Sequence, residues 1–298
     1  MNVKNERLTL QAGSISLLVA ILWGGNSVAI KMALSGFPPL AVASIRFFLG
    51  GFTVWVWARI SGVSLKMEPG EKKPLLGLAL LFLCQIYLLN SGTYYSMASR
   101  STVVMAAHPF FTVTFAHFFL SGDRLTRLKI LGMALSFTGV ALIFSESLTL
   151  DAPHPYLLGD VMVLFSAVLL GARQVYMKRR LAQATHPARV LIWQAGLSLP
   201  IFCLLSLIFE RDFSLVLDGP ILGALLYQGL VVAGFCYIIF TSLLRRYQAS
   251  KLSVFGFITP VFGVLLSKYL LGEDLSTVLL TSMILVAFGI AIVNHDSN

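Results

Sequence analysis

Two stretches of the sequence, in opposite halves of the chain, resemble each other. Residues 98–111 read ASRSTVVMAAHPFF and residues 249–262 read ASKLSVFGFITPVF. At a constant offset of 151 residues, four residues of the first stretch recur in the second: Ala98, Ser99, Pro109 and Phe111 match Ala249, Ser250, Pro260 and Phe262. After a one-residue shift, Gly122 and Gly139 align with Gly272 and Gly289. The chain is therefore built from two homologous halves.

Both halves are apolar along their whole length. The chain has 298 residues, of which 57% are hydrophobic and 12% are charged, and its mean hydropathy is +0.84. Soluble domains carry about 25% charged residues. We count ten apolar runs of roughly 20 residues, the length that a helix needs to cross a bilayer. The sequence predicts an all-α integral membrane protein with ten transmembrane helices.

The ten predicted helices divide into two repeats of five, at residues 13–146 and 157–294. Because five is an odd number, the second repeat must enter the membrane in the opposite orientation, which gives an inverted repeat.

The basic residues indicate how the chain lies in the membrane. With the N-terminus in the cytoplasm, 16 Lys and Arg residues lie inside and two, Arg100 and Arg211, lie outside. Cytoplasmic loops carry such an excess of basic residues. We therefore predict a multi-pass protein of the cell (inner) membrane with both termini in the cytoplasm. The net charge of +9 reflects this topology, so we expect no nucleic-acid partner.

Nearly all ionisable residues inside the predicted helices are basic. Lys31, Arg173 and Lys268 lie towards helix ends, where a long side chain can reach the headgroups, and we interpret them as snorkelling. Arg46 lies about 10 Å along its helix. It either binds helix-end carbonyls or supplies a charge to a cavity, and a positive interior favours a ligand with a carboxylate.

The sequence argues against an enzyme. No helix centre carries Asp or Glu, and His108 and His117 are nine residues apart, on opposite faces of one helix. The three cysteines have neither disulfide nor metal-site spacing. We expect no catalytic residues, no metal and no cofactor.

Polar side chains in mid-helix indicate a transport pathway. In WGGN, residues 23–26, Trp23 and Asn26 project from one helix face. The alternative is that the two glycines allow close helix packing and Asn26 only hydrogen-bonds across that contact. Both can hold at once, on different faces. Helix three carries Gln85, Asn90 and Tyr94, and helix eight carries Tyr237.

Prolines at matched positions of helices four and nine predict two breaks. Pro109 and Pro260 each remove a backbone hydrogen bond and free the carbonyls of Met105 and Gly256. Inverted-repeat transporters often place such broken helices at the substrate site. The predicted substrate-binding residues are Trp23, Asn26, Arg46, Gln85, Asn90, Tyr94, His108, Phe111, Tyr237 and Phe262.

Several of these motifs resemble the EamA family of the drug/metabolite transporter superfamily. They are WGGN in helix one, Arg46 in helix two, YYSMAS and HPFF across helices three and four, and GDRLTRLKILGMALSFTGVALI through helix five. The resemblance extends from about residue 13 to 294. The glutamate that the family carries after a glycine is kept as Glu273, whereas Asp123 replaces it in the first half.

The resemblance implies a secondary transporter that exports a small metabolite, such as an amino acid or organic anion. We expect a central cavity that works by alternating access, with the lipid bilayer and a small-molecule substrate as partners. An uncoupled channel or facilitator, or a drug efflux carrier, is the alternative. Substrate identity, coupling ion and oligomeric state stay open.

Overall fold

The computed structural model describes residues 9–120, 126–149, 156–181, 184–213, 215–247, 252 and 254–295. Within these residues, the helices form ten spans. Eight are apolar helices of 20 residues or more, and the last two are shorter apolar helices. The spans are α1 (Leu10–Gly24, continued by Asn26–Ala33), α2 (Pro39–Ile60), α3 (Lys72–Tyr95), α4 (Ala98–Met105 and His108–Phe119), α5 (Arg127–Thr149), α6 (Tyr156–Arg180), α7 (Pro187–Phe209), α8 (Gly219–Arg246), α9 (Val254–Phe257 and Ile258–Leu271) and α10 (Thr277–His295).

The predicted all-α fold with ten membrane helices is confirmed. The chain is a multi-pass integral membrane protein of two inverted five-helix repeats. We call the face where α1 begins the N-terminal face and the opposite one the distal face. Residues 1–8 and 296–298, on which the termini prediction depends, lie outside the described residues, as do Gly122, Asp123, Ala249 and Ser250 of the repeat.

The fifth helices of the two halves, α5 and α10, pack against each other. Their crossing is centred on the glycines that the repeat aligns. A Cβ atom on Gly139 would meet the Ser282 carbonyl oxygen at 2.8 Å, and one on Gly289 would meet the Gly132 carbonyl oxygen at 2.4 Å. Only a residue without a side chain permits this approach of two backbones. The sequence repeat thus marks a pseudo-symmetric helix contact.

Four spans contain the breaks or wide turns that bring backbone into the interior. α1 is interrupted at Gly25 and α4 at residues 106–107, while α9 starts with a short 3₁₀ turn. Pro109 lies in the first turn of the second piece of α4, where its missing N–H costs no helical hydrogen bond. The centre of α8, Tyr227–Cys236, is a π-helix, a form that is often found at functional sites.

A buried charge cluster joins α4, α5 and α6 near the distal face. The Arg100 guanidinium donates to Glu146 at 2.5 Å and to Asp160 at 2.7 Å, and also to the Ile143 carbonyl at 2.6 Å. Ser96 donates to the other Asp160 oxygen at 2.6 Å. This network pairs the charges of the first half with a carboxylate of the second, so it links the two repeats.

A second charged contact lies at the N-terminal face. Arg189 donates to Glu71 at 2.9 Å and to Glu68 at 2.7 Å. Burial opposes ionisation of Glu71, but the Glu68 N–H and Arg189 outweigh it and lower the pKa of that carboxyl. Lys178 donates to the carbonyls of Leu244 and Tyr247, which joins α6 to the end of α8.

Candidate functional site

A cavity of about 130 Å³ lies between the two halves. Its lining residues come from α1–α4 in the first half and from α6–α9, with Leu252 just before α9, in the second. In the part of the chain that the structure describes, α5 and α10 contribute none. The cavity thus has room for a small metabolite.

The cavity extends further towards the N-terminal face than towards the distal face. It begins at Thr102, one turn into α4 from the distal face, and reaches Leu243 and Leu252 near the N-terminal face. Distal to it, Lys31 donates to the carbonyls of Thr93, Tyr94 and Ser96 at the end of α3. The interpretation of Lys31 as a snorkelling residue was therefore wrong, because backbone carbonyls and not headgroups bind its ammonium.

Two arginines provide the charge of the cavity. Arg46 is 1% exposed, and its Nε and Nη1 atoms have no hydrogen-bond partner; the same holds for Nη1 of Arg173. Their guanidinium groups lie over aromatic rings, Arg46 at 5.0 Å from the Phe47 centroid and Arg173 at 5.0 Å from Phe82. Among the described lining residues there is no Asp or Glu. Both arginines thus line a cavity whose described lining residues include no protein anion.

Sequence reasoning missed the position of Arg173 in the cavity lining, because we interpreted this residue as snorkelling. α6 ends in Lys178, Arg179 and Arg180. Arg173 lies only two turns before this basic end, where a long side chain can reach the headgroups. The available signal was Gln174, a second polar residue at its side, which is 5% exposed and accepts a hydrogen bond from Thr112 at 3.0 Å. Two adjacent buried polar residues indicate an interior face.

Aromatic rings form one wall of the cavity. Trp23 makes edge-to-face contacts with Phe240 at 4.9 Å and with Tyr237 at 6.2 Å between centroids. Tyr237 also lies 5.7 Å below the Arg173 guanidinium. The wall therefore joins α1 of the first half to α8 of the second.

Uncharged polar groups complete the lining. Asn26, Gln85, His108 and Gln194 border the cavity. The Oδ1 of Asn26 and the Oε1 of Gln85 are buried and have no hydrogen-bond partner. The His108 ring binds the carbonyl of Met105 at 3.2 Å, the carbonyl that Pro109 was predicted to free. The proline break therefore fixes the orientation of the imidazole.

The structure shows the close packing predicted for the glycines of the WGGN segment, but, within the described residues, no hydrogen bond from the Asn26 side chain across that contact. A Cβ atom on Gly24 would meet Cβ of Phe262 at 2.9 Å and the Thr259 carbonyl oxygen at 3.0 Å. α1 and α9 therefore cross at Gly24, whereas Trp23 and Asn26 border the cavity. The packing contact and the cavity lie on different faces of one helix.

The described structure places four of the ten predicted side chains away from the cavity. Asn90 is buried, and its Nδ2 donates to the Pro39 carbonyl at 2.9 Å, so it joins α3 to α2. Tyr94 is 40% exposed and packs on Tyr95. Phe111 packs against α6 and Phe137, and Phe262 packs against Gly24. Pro109 and Pro260 are buried beside these contacts. The other six, Trp23, Asn26, Arg46, Gln85, His108 and Tyr237, line one cavity.

The chain is similar to known transporters over nearly its whole length. The model of the EamA-like transporter family matches it twice, over residues 12–145 and 157–295. A protein of Escherichia coli strain K12, named as a probable amino-acid metabolite efflux pump, is 28% identical over 287 residues, which cover 94% of this chain and 93% of that protein. An uncharacterized transporter of Bacillus subtilis strain 168 is 30% identical over 287 residues, with 94% and 90% covered. A solved crystal structure with 19% identity has a TM-score of 0.73 and covers 96% of this chain and 98% of its own, which shows the same fold.

Proposed function

The chain belongs to the EamA-like transporter family, and we propose that it exports a small metabolite with a carboxylate group, such as an amino acid or organic anion, through the central cavity by alternating access. The observation that carries this proposal is the pair of cavity arginines without an acidic partner.

Charge chemistry supports a carboxylate ligand. An arginine side chain has five N–H donors and no acceptor, and buried charges in proteins are normally paired. Arg46 and Arg173 lack a salt bridge within the described residues, and three of their nitrogen atoms have no partner. A carboxylate can bind such a guanidinium through two parallel hydrogen bonds. A lipophilic cation would instead be repelled by both arginines.

The inverted repeat supports alternating access. Two halves of opposite orientation can rock against each other around a site at their interface, and lining residues from α1–α4 and α6–α9 lie at such an interface. The cavity extends towards the N-terminal face, while Lys31 and Glu273 hold the α3–α4 turn at the distal face. With both termini in the cytoplasm, this conformation accepts substrate from the cytoplasm, as an exporter must.

Counterflow into proteoliposomes tests the proposal. We expect Arg46→Gln and Arg173→Gln each to reduce counterflow of amino acids or organic acids by about 10- to 100-fold, since a hydrogen bond to a charged group contributes about 1.5–3 kcal/mol. Arg179→Gln, on the same helix as Arg173 but exposed, is the matched control and should transport normally.

Two results would contradict the proposal. One is a preference for quaternary ammonium compounds over carboxylates, which fits the alternative of a drug efflux carrier. The other is flux that neither saturates nor responds to substrate on the opposite side, which fits a channel or facilitator.

A further inference from the structure

We infer that Arg46 and Arg173 together make the cavity a site for a metabolite with two carboxylates, and not for one with a single carboxylate. This inference rests on the proposed function, because it takes the cavity to be the substrate site and a carboxylate to be the bound group. It deepens that proposal by fixing the number of negative groups that the substrate carries.

The two arginines are held by one cluster of aromatic rings. The Cζ atom of Arg46 lies 5.0 Å from the Phe47 centroid. That of Arg173 lies 5.0 Å from the Phe82 centroid, and the centroids of these two rings are 4.5 Å apart. Tyr237 lies 5.7 Å from Arg173 and also interacts with Arg46. α2 and α6, one from each half, thus bring two guanidinium groups to the same part of the cavity.

The aromatic rings do not neutralise the two guanidinium groups. A ring attracts a cation to its face through its quadrupole, but it carries no net charge. The N–H donors lie around the edge of the guanidinium plane, so a ring beneath that plane leaves them unused. Within the described residues, neither Arg46 nor Arg173 takes part in an ion pair. The described structure thus places two positive charges beside one cavity without a counter-charge.

The number of charges beside the cavity determines what neutralises it. Arg46 is 1% and Arg173 is 9% exposed, and the charge of Arg173 acts on Arg46. Like charges repel more strongly in a low-dielectric interior than in water, and buried charges are normally paired. One carboxylate neutralises one guanidinium and leaves the other unpaired, whereas two carboxylates neutralise both. Because the Coulomb interaction acts through space, it requires only that both charges border the cavity, whichever way each N–H group points.

Pairs of ligands that differ by one charge test this inference. The probes are succinate with succinamate, glutarate with glutaramate, and L-glutamate with L-glutamine. In each pair, an amide replaces one carboxylate at almost the same size and shape. Each probe is titrated at neutral pH against the purified protein in detergent while the melting temperature is followed, since a ligand of the folded state raises it. For the pair that binds best, we expect the diacid to bind at least about ten-fold more tightly, the effect of one hydrogen bond to a charged group.

Variants of the two arginines show whether their charges cause this preference. Arg46→Gln and Arg173→Gln should each abolish the preference for the diacid, because a single guanidinium is left to pair with a single carboxylate. Arg46→Lys keeps the positive charge and should keep the preference. Arg179→Gln removes an exposed charge from the same helix as Arg173 and is the matched control, which should bind both members of each pair as the wild type does.

The outcomes separate this inference from the proposed function. Melting without ligand shows whether each variant folds, and Arg173→Gln answers the question if Arg46→Gln does not fold. Equal binding of a diacid and its monoamide by the wild type would overturn the inference and leave the carboxylate proposal intact. A preference that persists unchanged in both glutamine variants would overturn it as well. No binding of any carboxylate would instead refute the proposed function.

Discussion

At the scale of single residues, glycines decide how closely α1, α4 and α9 approach one another. A Cβ atom on Gly263 of α9 would lie 2.3 Å from Cγ2 of Thr102 and 2.8 Å from the Gly24 carbonyl oxygen. Thr102 borders the cavity, so an added methyl group there would displace the lining as well as the helices.

We therefore expect Gly263→Ala to lower the melting temperature in detergent, because overpacking a tight contact costs about 1–3 kcal/mol. Gly196→Ala on α7 is the matched control, since no atom lies within 4 Å of its Cβ position. Alanine in a helix interior is favoured over glycine by about 1 kcal/mol, so the control should melt at the same temperature or slightly higher. Equal melting temperatures for Gly263→Ala and Gly196→Ala would show that the helices at this crossing move apart without a loss of stability.

At the scale of elements, Glu273 joins the two halves by capping a helix of the other repeat. Its carboxylate accepts from the backbone N–H groups of Ala98 and Ser99 at 2.7 and 2.9 Å, and from the Ser99 hydroxyl at 2.6 Å. A negative charge at a helix N-terminus is favourable. Because α4 begins on the distal face, this contact joins the two halves on that face.

We predict that Glu273→Ala loosens the distal face. Loss of an N-terminal cap costs about 0.5–2 kcal/mol, enough to increase the population of a distally open form. In a background without native cysteines, Ser27→Cys in the cavity should react faster with a membrane-impermeant thiol reagent supplied from the distal side. Asp274→Ala removes an exposed acid from the same loop and should leave the rate unchanged. If Ser27→Cys reacts no faster in the Glu273→Ala variant than in its parent, the Glu273 cap has no part in closing the distal face.

At the scale of the whole molecule, the distribution of basic residues predicts that the N-terminal face is cytoplasmic. Arg180 on that face and Asp212 on the distal face are both exposed. In intact cells, Asp212→Cys should be labelled by an impermeant maleimide, whereas Arg180→Cys should react only after permeabilisation. Both variants are made in the same cysteine-free background. The reverse labelling pattern would refute the topology, and with it the direction of transport that we propose.

How much of the site could be predicted depends on the helix. In α3, Gln85 and Asn90 are only five residues apart, and both are buried amides. Gln85 borders the cavity, whereas Asn90 donates to the Pro39 carbonyl of α2. In α6, Arg173 near a basic helix end faces the interior. In α1, Trp23 and Asn26 were predicted to face the pathway together, and the structure places them together in the lining. The residue types therefore indicated that polar groups lie inside the bilayer, but not what each of them contacts.

The sequence by itself determined the number of spans, the two halves and their inversion. These properties follow from the length of apolar runs and from an odd number of helices per repeat, which are linear features of the chain. Only the tertiary structure decided which face of each helix lines the cavity. In a bilayer the surroundings of a helix are as apolar as its packed interior, so apolar residues cover every side and hydrophobic periodicity does not indicate an inner face. Contacts between helices therefore assign Arg173 to the cavity and Asn90 to the packing.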